Sequence, residues 1–422
     1  MKINLEKTFL LIFIISLLIE AIYFISPGPD IYVHYLTAKE ILRDPSFLWR
    51  TNLTGWQNFL AVQSPVFIAS PPLAYFIYDF LMILNLPLFL ATIGSILIIG
   101  YLLYKMNGLA IPFLFLSFMF IREVAFNGID IIMVAVTLSA FYFLLKKRYL
   151  TSGILASLTA LMKSTGFFVI LGWFLYVLYS EKRNVFNKRI LFTFFVMILI
   201  LSPWYVRNYL ITNDIPFALV GYTKEIYERG VEHLSSAFQM SQPERFIWDS
   251  SGYYPLPIDL LFCIGTFFFV LNLIRARKIQ PYSFFVLIMI VLYFVLQLAN
   301  IQFFVIRHEM LIFPFLALEI ANGIPKKYLK YSIIVGLLFL VIWSVTLPKY
   351  SFNQYSDTVV NPACKQIKSA IDYESVYVNA FHNWFVIFKC DLNATIQNES
   401  KWTLDFDKGQ LYLTNTTNIT GV

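Results

Sequence analysis

Eleven apolar runs, each roughly fifteen to twenty residues long and parted by more polar segments, constrain this chain more than any motif within it. A run of that length satisfies its own backbone hydrogen bonds as a helix and is long enough to cross the hydrocarbon core of a bilayer. The balance of the 422 residues agrees: 59% are hydrophobic and 14% charged, at a mean hydropathy of +0.68, too few charges to clothe a water-soluble domain. The reading is an all-α polytopic membrane protein. The net charge of +7 does not point to nucleic acid, because the lysines and arginines concentrate in the short turns between runs. Such turns are held against the anionic cytoplasmic leaflet.

Charge also sets the topology. Six turns are basic: Met1–Lys7, the turn at Lys105, Lys146–Arg148, Glu181–Arg189, Arg275–Lys278 and Pro325–Lys330, with Glu6 and Glu181 their only acids. Placing all six inside gives eleven spans, at 8–25, 87–104, 108–121, 131–145, 149–162, 166–180, 190–206, 257–274, 281–299, 310–324 and 331–347. The first follows Lys2 and Lys7 as a signal peptide would. It carries Glu20 and lacks a small-residue cleavage site, so it is expected to be retained with the N-terminus cytoplasmic. Outside fall 26–86, 122–130, the turn 163–165, 207–256, 300–309 and the tail from 348. The run SPPLAYFIYDFLMILN carries Asp79 and would invert every later turn if it crossed. It is expected to lie as an interfacial helix on the outer face, with Tyr75 and Tyr78 near headgroup level; a short true span is the alternative.

All five N-x-[ST] sequons, at Asn52, Asn393, Asn398, Asn415 and Asn418, fall on segments assigned outside. So do Cys364 and Cys390, in a setting that permits a disulfide, whereas Cys263 is expected as a small core residue within a span. The chain divides into a membrane domain, 1–347, and a small external α/β domain, 348–422. In the latter, NPACKQIKSAI and HNWFVIFKC have helical spacing, while SVYVNA, TLDF and QLYL read as strands. The expected setting is integral to the cell membrane, with the C-terminus external.

The polar residues that this hydrophobic chain retains gather on the side assigned outside. Asp30 follows the first span, with His34 one helical turn later on the same face. Such an acid either takes a proton from a hydroxyl or caps the helix that follows Pro29. Lys163, in LMKSTG between two short apolar runs, either binds an anion such as a phosphate or snorkels to the interface. Arg307 and His308 in FVIRHEM, and Arg207 in SPWYVRN, hold outer-edge positions. Together with Lys163 they would suit a lipid-linked phosphate, and singly each would serve as an interfacial anchor. Arg122, Glu123, Asn127 and Asp130 form a further cluster, in which Asp130 either positions substrate or pairs with Arg122. Glu20 and Glu319 are intramembrane acids, and Asp259 reads as a boundary residue at the start of a span. No HExxH, CxxC or Walker loop occurs and the four histidines are scattered, so no metal and no nucleotide cofactor is expected.

These motifs, in this order and on one predicted side, resemble the GT-C class of polytopic glycosyltransferases, in the branch of the protein O-mannosyltransferases and the lipid-A aminoarabinose transferase. Asp30 in GPDIYVHYLTAKEIL matches the acid that follows the first span in those enzymes. Ser70-Pro71-Pro72-Leu73 resembles their PPL motif, and Asp130 matches their second external acid. Leu161 through Gly166 resembles L-x-K-G-P, Pro203-Trp204-Tyr205 matches P-W-Y, and Arg307 through Pro314 resembles R-Y-x-x-P. Ile31 after the first acid, and Ser164-Thr165 after the lysine, depart from the pattern.

The resemblance covers about residues 26–350. It implies a GT-C-like fold and transfer of a sugar, with inversion, from a polyprenyl-phosphate carrier of the dolichyl-phosphate type. The acceptor would be a hydroxyl on a protein, lipid or glycan at the outer face. Asp30 would be the base; Lys163, Arg307 and Arg207 would hold the donor phosphate; His34, Asp130 and His308 would position substrate. Two other classes compete. A transporter or flippase of lipid-linked sugars would place its polar site at the midplane between related halves rather than at one face. A noncatalytic scaffold would use the glycosylated tail to bind partners.

Overall fold

Helices follow the apolar runs. In chain order they are α1 Leu5–Tyr23, α2 Leu73–Ile83, α3 Phe89–Asn107, α4 Phe118–Ala125, α5 Ile129–Leu145, α6 Tyr149–Ala160, α7 Phe167–Glu181, α8 Lys188–Thr212, α9 Leu260–Arg275, α10 Pro281–Leu298, α11 Phe313–Gly323 and α12 Ser332–Thr346. The computed structural model describes residues 5–23, 38–39, 41–46, 72–87, 89–125, 128–212, 259–275, 279–298, 310–329 and 331–346. Toward the C-terminus it describes 367, 369, 376–378, 394–395, 402–407 and 410–415.

Among the described residues, two stretches, Phe89–Leu116 and Lys188–Leu210, are long and apolar enough to cross a membrane. α4 and α5, set 115° apart, supply a third if taken as one broken span. The surface chemistry fits that setting. On α1, Phe9, Phe13 and Leu17 are buried, while the stripe Leu11, Ile15 and Ile19 is 48–58% exposed. On α8, Phe195, Ile198 and Leu199 are 60–65% exposed. Helices apolar on both faces belong in a bilayer or deep in a core, and these stripes face outward.

Contacts along α1 give the register of its neighbours. Gly100 of α3 lies against Leu10 and Phe13, and Gly108 lies against Glu6, so α3 runs antiparallel to α1. The Phe13 ring also meets Phe115 at 5.7 Å, which a continuous helix from Gly100 to Phe115 could not allow. The chain therefore folds back at Asn107. The straight span expected at 108–121 is instead a nine-residue 3-10 helix, Gly108–Leu116, followed beyond Ser117 by α4. Pro112 removes a donor from its middle, and the steeper rise lets nine residues cover the depth of about twelve α-helical ones. Trp343 of α12 donates its indole N–H to the Phe115 carbonyl at 3.0 Å.

Polar atoms tie the apolar helices at chosen points. The Ser152 hydroxyl of α6 donates to the Ala140 carbonyl of α5 at 2.6 Å and accepts from the buried Trp173 indole of α7 at 2.7 Å. α9 and α11 cross at Gly265, where a Cβ would come within 2.6 Å of Leu316, so the approach needs a residue without one. Cys263, expected in the core, is exposed on α9, off the face formed by Leu261, Phe262, Gly265 and Phe269.

The described tail residues from 376 onward form one sheet. β1 Val376–Val378, β2 Ala394–Thr395, β3 Trp402–Asp407 and β4 Gln410–Asn415 lie in the order β2-β1-β3-β4. β1 is parallel to β2 and β3; β3 and β4 pair antiparallel, from Trp402 opposite Asn415 to Asp407 opposite Gln410. HNWFVIFKC, the cysteines at 364 and 390, and the sequons at 52, 393, 398 and 418 lie outside the described residues.

Candidate functional site

The turn that follows α6 sets the position of Lys163. Met162 N–H donates to the Thr159 carbonyl at 3.1 Å, and Gly166 N–H to the Lys163 carbonyl at 2.9 Å, closing a 3-10 turn over Ser164–Gly166. A Cβ on Gly166 would overlap the Thr159 carbonyl and the Ala160 Cα, backbone against backbone. Only glycine lets the chain double back this tightly on α6.

That turn delivers the Lys163 ammonium to the first turn of α5. Its Nζ stands 2.9 Å from Asp130 Oδ1 and 3.1 Å from Oδ2. The aspartate side chain is 6% exposed and the lysine 18%. The carboxylate also sits at a helix N-terminus, whose partial positive charge favours it. The lysine is thus paired with a carboxylate in the structure, a contact that neither sequence-based reading of it named. For Asp130, the ion pair described is with Lys163, 33 residues away in the chain.

α2 is stitched to the same place. Pro72 has no N–H, so Leu73 supplies the first donor of the segment, and it reaches the Leu161 carbonyl at 2.9 Å. Two of the quoted motifs are thereby joined backbone to backbone. α2 is 11 residues long, and Tyr75 and Tyr78 on it are buried in the protein. With Ala74, Asp79 and Leu81 they make one inward face. Asp79 Oδ1 is buried with no hydrogen bond among the described residues, and burial pushes its carboxyl up to about 6.

Arg207 arrives from α8, which runs parallel to α6, with Thr193 and Met197 packed over Gly153. Eighteen residues beyond Arg189, it stands at the Lys163 end of the bundle. Its guanidinium lies 4.8 Å over the Trp204 ring, Nη1 donates to Asn208 Oδ1 at 2.7 Å, and it feels the Tyr75 hydroxyl of α2. The Trp of the P-W-Y motif therefore serves as a shelf for the arginine.

Three sequence candidates, Asp130, Lys163 and Arg207, converge at one end of the helices. Asp30, His34, Arg307 and His308 lie outside the described residues. Sequence reasoning passed over Thr165, whose buried hydroxyl has no hydrogen bond among the described residues two positions from Lys163. Asp259, read as a boundary residue, is a buried cap. It accepts from the Ser117 hydroxyl and, at 3.0 Å, from Phe262 N–H, while Ser117 Oγ accepts from Phe120 N–H at 3.0 Å. One Ser–Asp pair thus caps the starts of α4 and α9, and the Ser and Asp just before two apolar runs were its sequence signal.

Among the described residues, no three His, Cys, Asp or Glu side chains gather as a metal site would require. No family model matches the chain, and no curated protein matches it.

Proposed function

We propose that the protein is a membrane glycosyltransferase that moves a sugar from a polyprenyl-phosphate donor to an acceptor hydroxyl at the outer face, with inversion. The observation that carries this reading is the Lys163–Asp130 pair, built at the point where α2 is hydrogen-bonded to Leu161. A partly exposed ammonium and a buried arginine at the same end of an apolar bundle suit an anion that arrives on a lipid tail. The eleven crossings, the cytoplasmic N-terminus and the external α/β domain from 348 belong to the same proposal.

In the reaction, the acceptor oxygen attacks the anomeric carbon while the bond from that carbon to the phosphate oxygen breaks. The hydroxyl proton passes to the Asp30 carboxylate, and the electron pair leaves on the phosphate. Lys163, Arg207 and Arg307 stabilise the charge growing there. Asp130 holds the lysine in place, and His34 and His308 position the acceptor. A phosphate needs little protonation to leave, so a single carboxylate suffices, unlike the pair used in glycoside hydrolysis.

The test is sugar transfer by the purified full chain with a polyprenyl-phosphate-linked donor. Asp30→Asn at equal abundance is expected to abolish transfer, and retained activity would remove Asp30 as the base. Movement of a lipid-linked sugar between leaflets with no transferred product would favour a flippase instead.

A further inference from the structure

At the other end of α5, where the chain turns into α6 and α8 begins, the structure holds a half-open cavity of about 300 Å³. Lys147, Arg148, Arg189 and Thr151 supply its polar lining, and Leu150 and Phe192 its apolar wall. Lys147 sits at φ 56, a left-handed conformation that lysine rarely adopts. Glu181 of α7 is already engaged, accepting from the Tyr149 hydroxyl at 2.5 Å and lying 3.5 Å from Lys147. Among the described residues, no carboxylate pairs with Arg148 or Arg189, and both are exposed. The cavity therefore carries two guanidinium groups beyond what Glu181 balances.

Its apolar wall does not end at the rim. Leu191, Phe195, Ile198 and Leu199 continue it along α8 as a strip that is 47–65% exposed. A free anion has no use for such a strip, whereas an anion bearing acyl chains fills both parts. We propose that this cavity binds the phosphate headgroup of an anionic membrane phospholipid, whose acyl chains lie along the exposed face of α8. The site is at the opposite end of the helices from Lys163 and stands independently of the proposed transferase; it rests only on the bundle lying in a bilayer. The guanidinium groups pair with phosphate oxygens in the fork geometry that suits them.

Any basic turn near a bilayer attracts anionic lipid diffusely, so the experiment must separate a built site from charge alone. The full chain is reconstituted in phosphatidylcholine nanodiscs doped with phosphatidylglycerol, and the affinity of retained phosphatidylglycerol is measured by native mass spectrometry. Arg148→Gln/Arg189→Gln is expected to weaken retention by about tenfold or more for each direct guanidinium–phosphate hydrogen bond lost. Lys105→Gln/Lys327→Gln removes the same charge from other turns and is expected to leave retention unchanged. Equal loss in the two variants, or no loss in the first, overturns the proposal. Displacement of the lipid by inorganic phosphate alone would overturn it too, by showing a free-anion site. Both arginines are exposed and lack a carboxylate partner among the described residues, so the variant is expected to fold, which its circular dichroism checks.

Discussion

Asp130 and Glu319 are both carboxylates buried in an apolar bundle, and they are satisfied in opposite ways. Asp130 receives a full opposite charge from Lys163. Among the described residues Glu319 receives only neutral donors: the Ser283 hydroxyl at 2.5 Å and the Asn272 amide at 2.7 Å, the same amide also reaching the Glu319 carbonyl at 2.8 Å. Nearby, Asn322 donates to the Tyr282 hydroxyl and accepts from Asn107, each at 3.2 Å. The neutral network joins α9, α10 and α11 and offers its donors to one another, as a structural joint does. The charged pair keeps one member 18% exposed, where an incoming anion can share the ammonium. A buried ion pair is weak evidence for stability, so the pair at Lys163 has a functional reading that the joint at Glu319 lacks.

The hardest blow to that contrast is Lys163→Ala. It leaves Asp130 buried and charged without its described partner, at a cost of about 3–5 kcal/mol, and is expected to lower donor-dependent transfer by about two to three orders of magnitude. The sharper variant is Lys163→Met/Asp130→Leu. It should return the thermal midpoint in detergent to near the parent's while transfer stays lost; recovery of both would make the pair purely structural. Next in size is Glu319→Leu, which takes the acceptor from the Ser283 hydroxyl, at about 1–3 kcal/mol, and leaves the Asn272 amide only the backbone carbonyl of residue 319. Its melting point should fall with the KM for lipid donor unchanged, and a raised KM would bring Glu319 into the site. Gly166→Ala, forced against the backbone of α6, should cost about 1–3 kcal/mol and weaken donor use through a displaced Lys163, read as KM and melting point together.

The positions of the helices were legible in the sequence because a helix in lipid is an apolar run and a basic turn, and both are local. The expected segment at 131–145 is α5 at Ile129–Leu145, and that at 281–299 is α10 at Pro281–Leu298. What hydropathy could not show is which polar groups meet. Asp130 and Lys163 were each visible, but their pairing depends on how tightly the chain doubles back at Gly166. The burial of Tyr75 and Tyr78 was hidden for a similar reason: an interfacial helix and a half-buried one share a composition, and only the neighbours on the inward face tell them apart. At 108–121 the apolar run is buried, but hydropathy does not distinguish helix types, and the segment with Pro112 in its middle is a 3-10 helix.

Asp79 adds a third way to bury a carboxylate and gives the smallest predicted effect. Its Oδ1 has no hydrogen bond among the described residues, and burial alone raises its pKa from the ordinary 3.8 to about 6. Between those values the folded protein holds a proton that the unfolded chain releases. The stabilisation is therefore full below about pH 4 and is lost as the pH rises through about 6. Asp79→Asn removes the charge without changing the shape. It should melt a few degrees above the parent at neutral pH, and the gap should close as the pH falls toward 4. A parent with no such slope, and no gain from the amide, would mean that the Asp79 carboxylate keeps its charge against a cation. It would then belong with Asp130 rather than with Glu319, and the site would extend along α2 beyond Tyr75.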